Sequence, residues 1–192
     1  MVAHYLLGLS SQDQVDYVNV AQQRVAADTL ALETKTTLDL TADVYVYELP
    51  ADLVELEGIY NDAIPLDDLT MDELMTTLSG VGASNYLGPQ GYAIVGRSLY
   101  VLPIPAGADT LTIVYYQRPP PFTSEDDLSV DGSEMELVEA LFDGYVAFDR
   151  GETEVGSSIM GRYMADAQRV RAINRGPAGP RIPVLGPRDR FR

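Results

Sequence analysis

Between residues 92 and 117 the sequence runs YAIV, then GR, then SLYVLPIP, then AGAD, then TLTIVYYQ, and a helix cannot use that pattern. β-Branched and aromatic residues recur in near-alternation, which puts successive side chains on opposite faces of an extended chain. Gly96-Arg97 sits where a two-residue type II′ hairpin needs glycine at its first central position. Pro103 and Pro105 mark a strand end or an exposed edge, because proline donates no ladder hydrogen bond. The stretch therefore predicts three antiparallel strands. Upstream, from Thr36 to Tyr60, TLDLTADVYVYELP and LVELEGIY repeat the short period, and Pro50 separates them into two further strands.

On both flanks the period lengthens. Residues 11–34 read as a helix: Ser11 and Gln14 form a capping-box pattern, Val15, Val18, Val25 and Leu32 recur near helical spacing, and four alanines favour the state. Its apolar stripe is thin, so it packs closely on neighbours or finishes its burial against a partner subunit. Thr70 and Glu73 make a T-x-x-E box that predicts a short helix over about 71–78, ended by Gly80, Gly82 and GPQG. RPPPFTSEDDLSVDGS, residues 118–133, is a stiff linker, since consecutive prolines favour polyproline II.

Ser133 and Glu136 give a third box, followed by Val138, Leu141, Phe142, Tyr145 and Phe148 at spacings of three and four. A second helix over about 154–173 carries Val155, Ile159, Tyr163, Val170 and Ile173 on one side, with Arg162 and Asp166 as an i,i+4 pair. The expected class is α+β. Residues 1–35 and 133–175 form a helical bundle, 36–132 a β-rich insertion with one short helix, and 176–192 an extended C-terminal arm.

Charge is segregated along the chain. Residues 1–160 hold 5 basic against 27 acidic groups, and residues 161–192 hold 8 against 2. A net charge of −16 opposes non-specific adhesion to nucleic acid, because phosphate binding draws on Lys and Arg. No apolar run approaches the roughly 20 residues that span a bilayer. The opening MVAHYLLGLSSQ lacks the basic region and cleavage site of a secretory signal, so the expected place is a cytoplasm or a particle assembled there. Without cysteine there is no disulfide, thiol nucleophile or zinc-finger site.

Catalytic sets are thin. His4 is the one histidine and lies beside a terminus; there is no G-x-S-x-G elbow and no phosphate loop. GVGASN at 80–85 matches half of a dinucleotide fingerprint and reads as a plain turn. DLSVDG at 127–132 imitates the start of a calcium loop, with Asp127, Ser129, Asp131 and Gly132 in place, but the twelfth position is Val138 where a bidentate Glu belongs. The acids of PLDDLTMDE at 65–73 are accounted for by the helix dipole. A glycosidase-like carboxylate pair stays open as a minor alternative, though the chain has no Trp for sugar stacking. No cofactor and no metal are expected, and the chain is expected not to be an enzyme. Twelve tyrosines accompany four phenylalanines; those of the β region read either as half-buried strand positions or as a protein-binding surface.

The strings YELPADLVELEGIY, LTMDEL, YVLPIP and DTLTIVYYQRP resemble the head-to-tail adaptors of tailed bacteriophages, and among them the podophage tail tubular A type. The resemblance covers about residues 11–174. It implies a virion protein of the neck, assembled in the host cytoplasm, whose ring of twelve copies docks under the portal protein. It further implies a platform for a tail nozzle or stopper protein, with tail fibres as a further partner, and a lumen through which DNA passes without specific binding. No membrane partner follows from it. The alternatives left open are another neck protein, such as a stopper or tail terminator, and a non-viral β-rich interaction module.

The arm has its own reading. From Gly176 to Arg192 it holds four prolines and three glycines, which excludes helix, and at about 3.1 Å per residue it reaches on the order of 50 Å. Arg175, Arg181, Arg188, Arg190 and Arg192 supply charge-assisted hydrogen bonds, and Ile182, Val184, Leu185 and Phe191 supply apolar anchors. These nine residues are the expected interface with the portal or a neighbouring subunit.

Overall fold

The computed structural model describes residues 10–79, 88–123, 130 and 132–175. Helix α1 spans Ser11–Thr29, followed by strands β1 (Glu33–Leu40), β2 (Val46–Glu48), β3 (Leu53–Asn61), β4 (Ile64–Pro65) and β5 (Asp67–Asp68). Helix α2 (Met71–Ser79), strands β6 (Gly91–Val95), β7 (Ser98–Leu102) and β8 (Asp109–Gln117), and helices α3 (Gly132–Asp149) and α4 (Thr153–Arg175) complete the order. The class is α+β, as expected.

Helix α1 differs from the sequence reading at both ends. Its cap is Ser10, whose hydroxyl accepts from the Asp13 amide while the Asp13 carboxylate accepts from the Ser10 amide, so the box lies one residue earlier than Ser11 and Gln14. The helix stops at Thr29 rather than residue 34, because Leu30 turns left-handed (φ 56°, ψ 47°). Leu30 is fully buried, and that burial supplies the free energy to hold a non-glycine residue in this conformation. The next residues alternate, E-T-K-T-T-L-D-L, and pair with β8 from Glu33↔Tyr116 to Leu40↔Asp109.

The stretch from Thr36 to Tyr60 contains parts of three strands instead of two. TLDLTADVYVY breaks at residues 41–45, where Asp43 has φ 63°. The Tyr47 hydroxyl holds this turn, accepting from the Thr41 amide (3.0 Å) and donating to the Val44 carbonyl (2.8 Å).

Two four-stranded sheets result, ordered β1-β8-β3-β4 and β2-β7-β6-β5. The Gly96-Arg97 hairpin forms as expected, with Gly96 at φ +65° and β6 paired antiparallel to β7. The third strand of that run forms too and pairs antiparallel, but in the other sheet: β8 inserts between β1 and β3. Both neighbours of β7 are already occupied, by β2 and β6. The apolar side chains of β8 meet those of β7 across the interior instead of beside it, since Leu111, Ile113 and Tyr115 share one core with Leu99, Val101, Tyr92, Ile59 and Leu40. The short helix α2 closes the outer face of the second sheet through Leu74 on Ala93 and Leu102. Its T-x-x-E box forms as written, with the Thr70 amide and hydroxyl both donating to Glu73 Oε2 at 2.8 Å.

Helices α1, α3 and α4 bury a separate core of Ala21, Val25, Leu137, Val138, Leu141, Tyr163 and Ala167. Alanine dominates the α1 side, so the backbones approach closely, which is how a thin stripe suffices. Tyr17 adds ring contacts to Phe142 and Tyr145, both at 6.3 Å between centroids. The proline-rich segment after β8 lies along α1: Asn19 Nδ2 donates to the Phe122 carbonyl and its Oδ1 accepts the Phe122 amide, while Gln22 Nε2 donates to the Pro120 carbonyl.

Helix α3 starts at Gly132, ahead of the Ser133–Glu136 box, and the Ser133 hydroxyl donates to Glu134. In α4, Asp166 pairs with Arg169 (3.3 Å) in place of the expected Arg162. The residues 80–85, Asp127, Ser129, Asp131 and His4 lie outside the described residues. The β-region tyrosines divide: Tyr60, Tyr92, Tyr115 and Tyr116 are buried, and Tyr45, Tyr47 and Tyr100 are half-buried, which is the strand-position reading.

Candidate assembly interface

The last two turns of α4 are fastened to the rest of the chain by polar side chains. Helix α1 has no basic residue in its last turn, and its terminal carbonyls need donors. Helix α4 supplies them. Arg171 donates to the Asp28 carbonyl (3.5 Å), Asn174 Nδ2 to the Thr29 carbonyl (3.0 Å), and the buried Tyr163 hydroxyl to Asp28 Oδ2 (2.8 Å). Asn174 also donates to Glu134 Oε1 at the start of α3 (3.0 Å).

Glu55 of β3 receives both arginines of that end, Arg171 on Oε2 (2.7 Å) and Arg175 on Oε1. The strand shifts register between Leu53 and Glu55 and again between Leu56 and Gly58, and such irregularities re-aim side chains out of the regular pleat. The helical core and the first sheet are thus tied at one carboxylate.

Arg175 is the only member of the expected arm interface among the described residues, and it is engaged within its own chain. Arg181, Ile182, Val184, Leu185, Arg188, Arg190, Phe191 and Arg192 lie outside them. What the geometry adds is that Arg175, the last residue of α4, is held beside β3.

A groove of about 590 Å³ runs between α3 and α4, with no α1 residue in its lining. Its floor is apolar, from Leu137, Ile159, Tyr163, Val170 and Ile173. The rim carries Glu136 and Asp143 from α3 and Arg162, Asp166 and Arg169 from α4. Burial, and then the charge of Glu139, push the Asp143 carboxyl above its ordinary range. The helical spacing that set Val155 and Ile173 on one side of the helix is real, but both are exposed, Ile173 at 69%. Val20 on α1 and Met164 on α4 are exposed too. On the β side, Met71 and Met75 of α2 and Val46, Ile94 and Val95 of the second sheet also face outward.

Glu55 and the groove acids were not distinguishable in the sequence from other surface carboxylates. A single signal was present for the groove: Glu136, Glu139 and Asp143 recur at spacings of three and four, where like charges oppose one another on a helix. Among the described residues no group of His, Cys, Asp and Glu is arranged to hold a metal ion, and no described helix is long and apolar enough to cross a membrane.

No curated protein matches the chain. The model of the family described as SU10 adaptor protein matches residues 2–181, which takes in all three core helices and both sheets. The chain belongs to the SU10 adaptor protein family, a family of bacteriophage head-to-tail adaptors, and so is a structural protein of the virion neck that works between portal and tail components.

Proposed function

We propose that this adaptor forms a ring of twelve copies beneath the portal, in the manner of the podophage tail tubular A type, and is assembled in the host cytoplasm. In this reading the helices of residues 1–35 and 133–175 face the portal, and the β-rich residues 36–132 face the tail nozzle, stopper or fibres. The arm of residues 176–192 reaches the portal or the next subunit, using Arg181, Ile182, Val184, Leu185, Arg188, Arg190, Phe191 and Arg192, with Arg175 at its root. DNA passes through the lumen without specific contacts, because the −22 formal charge of residues 1–160 repels phosphate.

The observation that carries the reading is the family match across residues 2–181. The family is one of structural adaptors and not a class of enzymes. Physical support comes from apolar side chains left outside on three helices, Val20, Val155 and Ile173 among them, since a subunit that finishes its burial in an assembly exposes such side chains when alone. The test is electron microscopy of portal rings with and without the purified chain. Added ring-shaped density at one pole of the portal is the expected result, and unchanged portal images would refute the reading.

A further inference from the structure

The groove between α3 and α4 combines features that a solvated surface does not need. Its apolar floor ends at Ile173, 69% exposed. Along its α3 rim stand Glu136 and Asp143, and Glu139, which lies between them in the helix outside the lining, adds a like charge at spacings of three and four. Among the described residues none of these three takes part in an ion pair. On the opposite rim Arg169 is already committed to Asp166 at 3.3 Å, leaving Arg162 as the remaining cation of the lining. The groove suits a basic chain with apolar side chains between its charges.

Such a chain begins where the groove ends. Helix α4 closes at Arg175, two residues beyond Ile173. Residues 176–180 are Gly-Pro-Ala-Gly-Pro, a composition that reverses a chain readily. Residues 181–192 carry four arginines against one aspartate, with Ile182, Val184, Leu185 and Phe191 among them. Extended, these residues cover roughly 37 Å, against about 21 Å of helix between Ile159 and Ile173.

We infer that in the free subunit residues 181–192 occupy the α3–α4 groove of their own chain, arginines on the acidic rim and apolar side chains on the floor. Two considerations select the chain's own arm over a neighbour's. A short tether at the groove mouth gives an effective concentration on the order of millimolar, and separate copies, each at −16, repel one another. The same arm is then withheld from other partners until it is displaced. The inference concerns the subunit before assembly and does not rest on the ring reading, so either can fail alone.

The chain has no cysteine, so introduced thiols are unique. Full-length protein carrying Ala140→Cys, in the groove, with Gly186→Cys, in the arm, is treated at low concentration with a short thiol cross-linker. The control pairs Gly186→Cys with Ala165→Cys, exposed on α4 outside the groove lining. The expected result is an intrachain cross-link formed roughly tenfold faster at Ala140 than at Ala165, an advantage that shrinks in high salt. Equal rates at the two sites, or cross-links only between copies, would overturn the inference. In the cysteine-free chain, amide exchange of residues 181–192 should quicken several-fold on Glu136→Gln with Asp143→Asn, and unchanged exchange would count equally against it.

Discussion

Arg171 Nη2 lies 2.7 Å from Glu55 Oε2, and through that contact the end of α4 is held on β3. Both side chains are about one-third exposed (34% and 32%), and Arg175, on the other carboxylate oxygen, is more exposed still. Solvent screening therefore limits the pair, and Glu55→Gln should cost about 0.5–1 kcal/mol. Urea unfolding at low and high salt checks this: the difference between wild type and Glu55→Gln should narrow as salt rises.

Tyr163→Phe should cost more, about 1–2 kcal/mol, because it removes a buried hydroxyl that donates to Asp28 at 2.8 Å. The same burial, followed by the hydrogen bond and charge of Asp28, raises the Tyr163 pKa strongly, and burial with the charge of Asp68 pushes Tyr92 up to about 12. A phenol whose folded pKa is raised contributes stability that is intact below its ordinary value of 10.0 and is lost as pH rises from there through the folded value. Thermal melts should accordingly decline between pH 10 and about 12, and Tyr92→Phe should flatten that decline.

The tip of the α3–α4 hairpin is a close approach. A Cβ at Gly156 would stand 3.0 Å from three ring carbons of Phe148. Gly156→Ala should destabilise by about 1–2 kcal/mol through overpacking. Since Phe148 is partly exposed, adding Phe148→Ala should restore much of the loss relative to Phe148→Ala alone, as measured by a double-mutant cycle.

The elements that were legible in the sequence are those whose cause is local. The Thr70–Glu73 box, the Gly96 turn and the spacing of Leu141 and Phe142 each act within a few residues, and each reappears in the fold. The exit of α1 at Leu30 was hidden because its cause is tertiary: a buried leucine holding a left-handed conformation so that Glu33 can join β8. The placement of β8 was hidden for a related reason. Alternation in TLTIVYYQ fixes which side chains face inward, but Leu111 and Ile113 meet the same apolar partners whether β8 lies beside β7 or across from it.

The residues of the candidate interface follow the same division. Charge segregation marked the arm, and that signal is compositional. Glu55 was illegible, because its role depends on Arg171 and Arg175, far along the chain. The period that set Ile173 on one side of its helix was correct about the face it shares with Val170 and Tyr163 in the groove, and silent about whether anything covers that face.

Deleting residues 176–192 should leave the far-UV spectrum nearly unchanged and lower the unfolding midpoint only by what docking in the groove contributes, because the described cores are built without that arm. Binding to portal rings should weaken at least about tenfold if the arm contributes even 1.4 kcal/mol. A deletion that unfolds the chain, or one that binds portal as tightly as the full-length protein, would contradict the role given to the arm.

The ring beneath the portal is tested most directly by native mass measurement of portal rings mixed with excess full-length chain. The account predicts a complex heavier than the portal by about twelve subunits of 21.0 kDa each. Portal rings that keep their own mass, with the chain remaining apart as monomer, would contradict it.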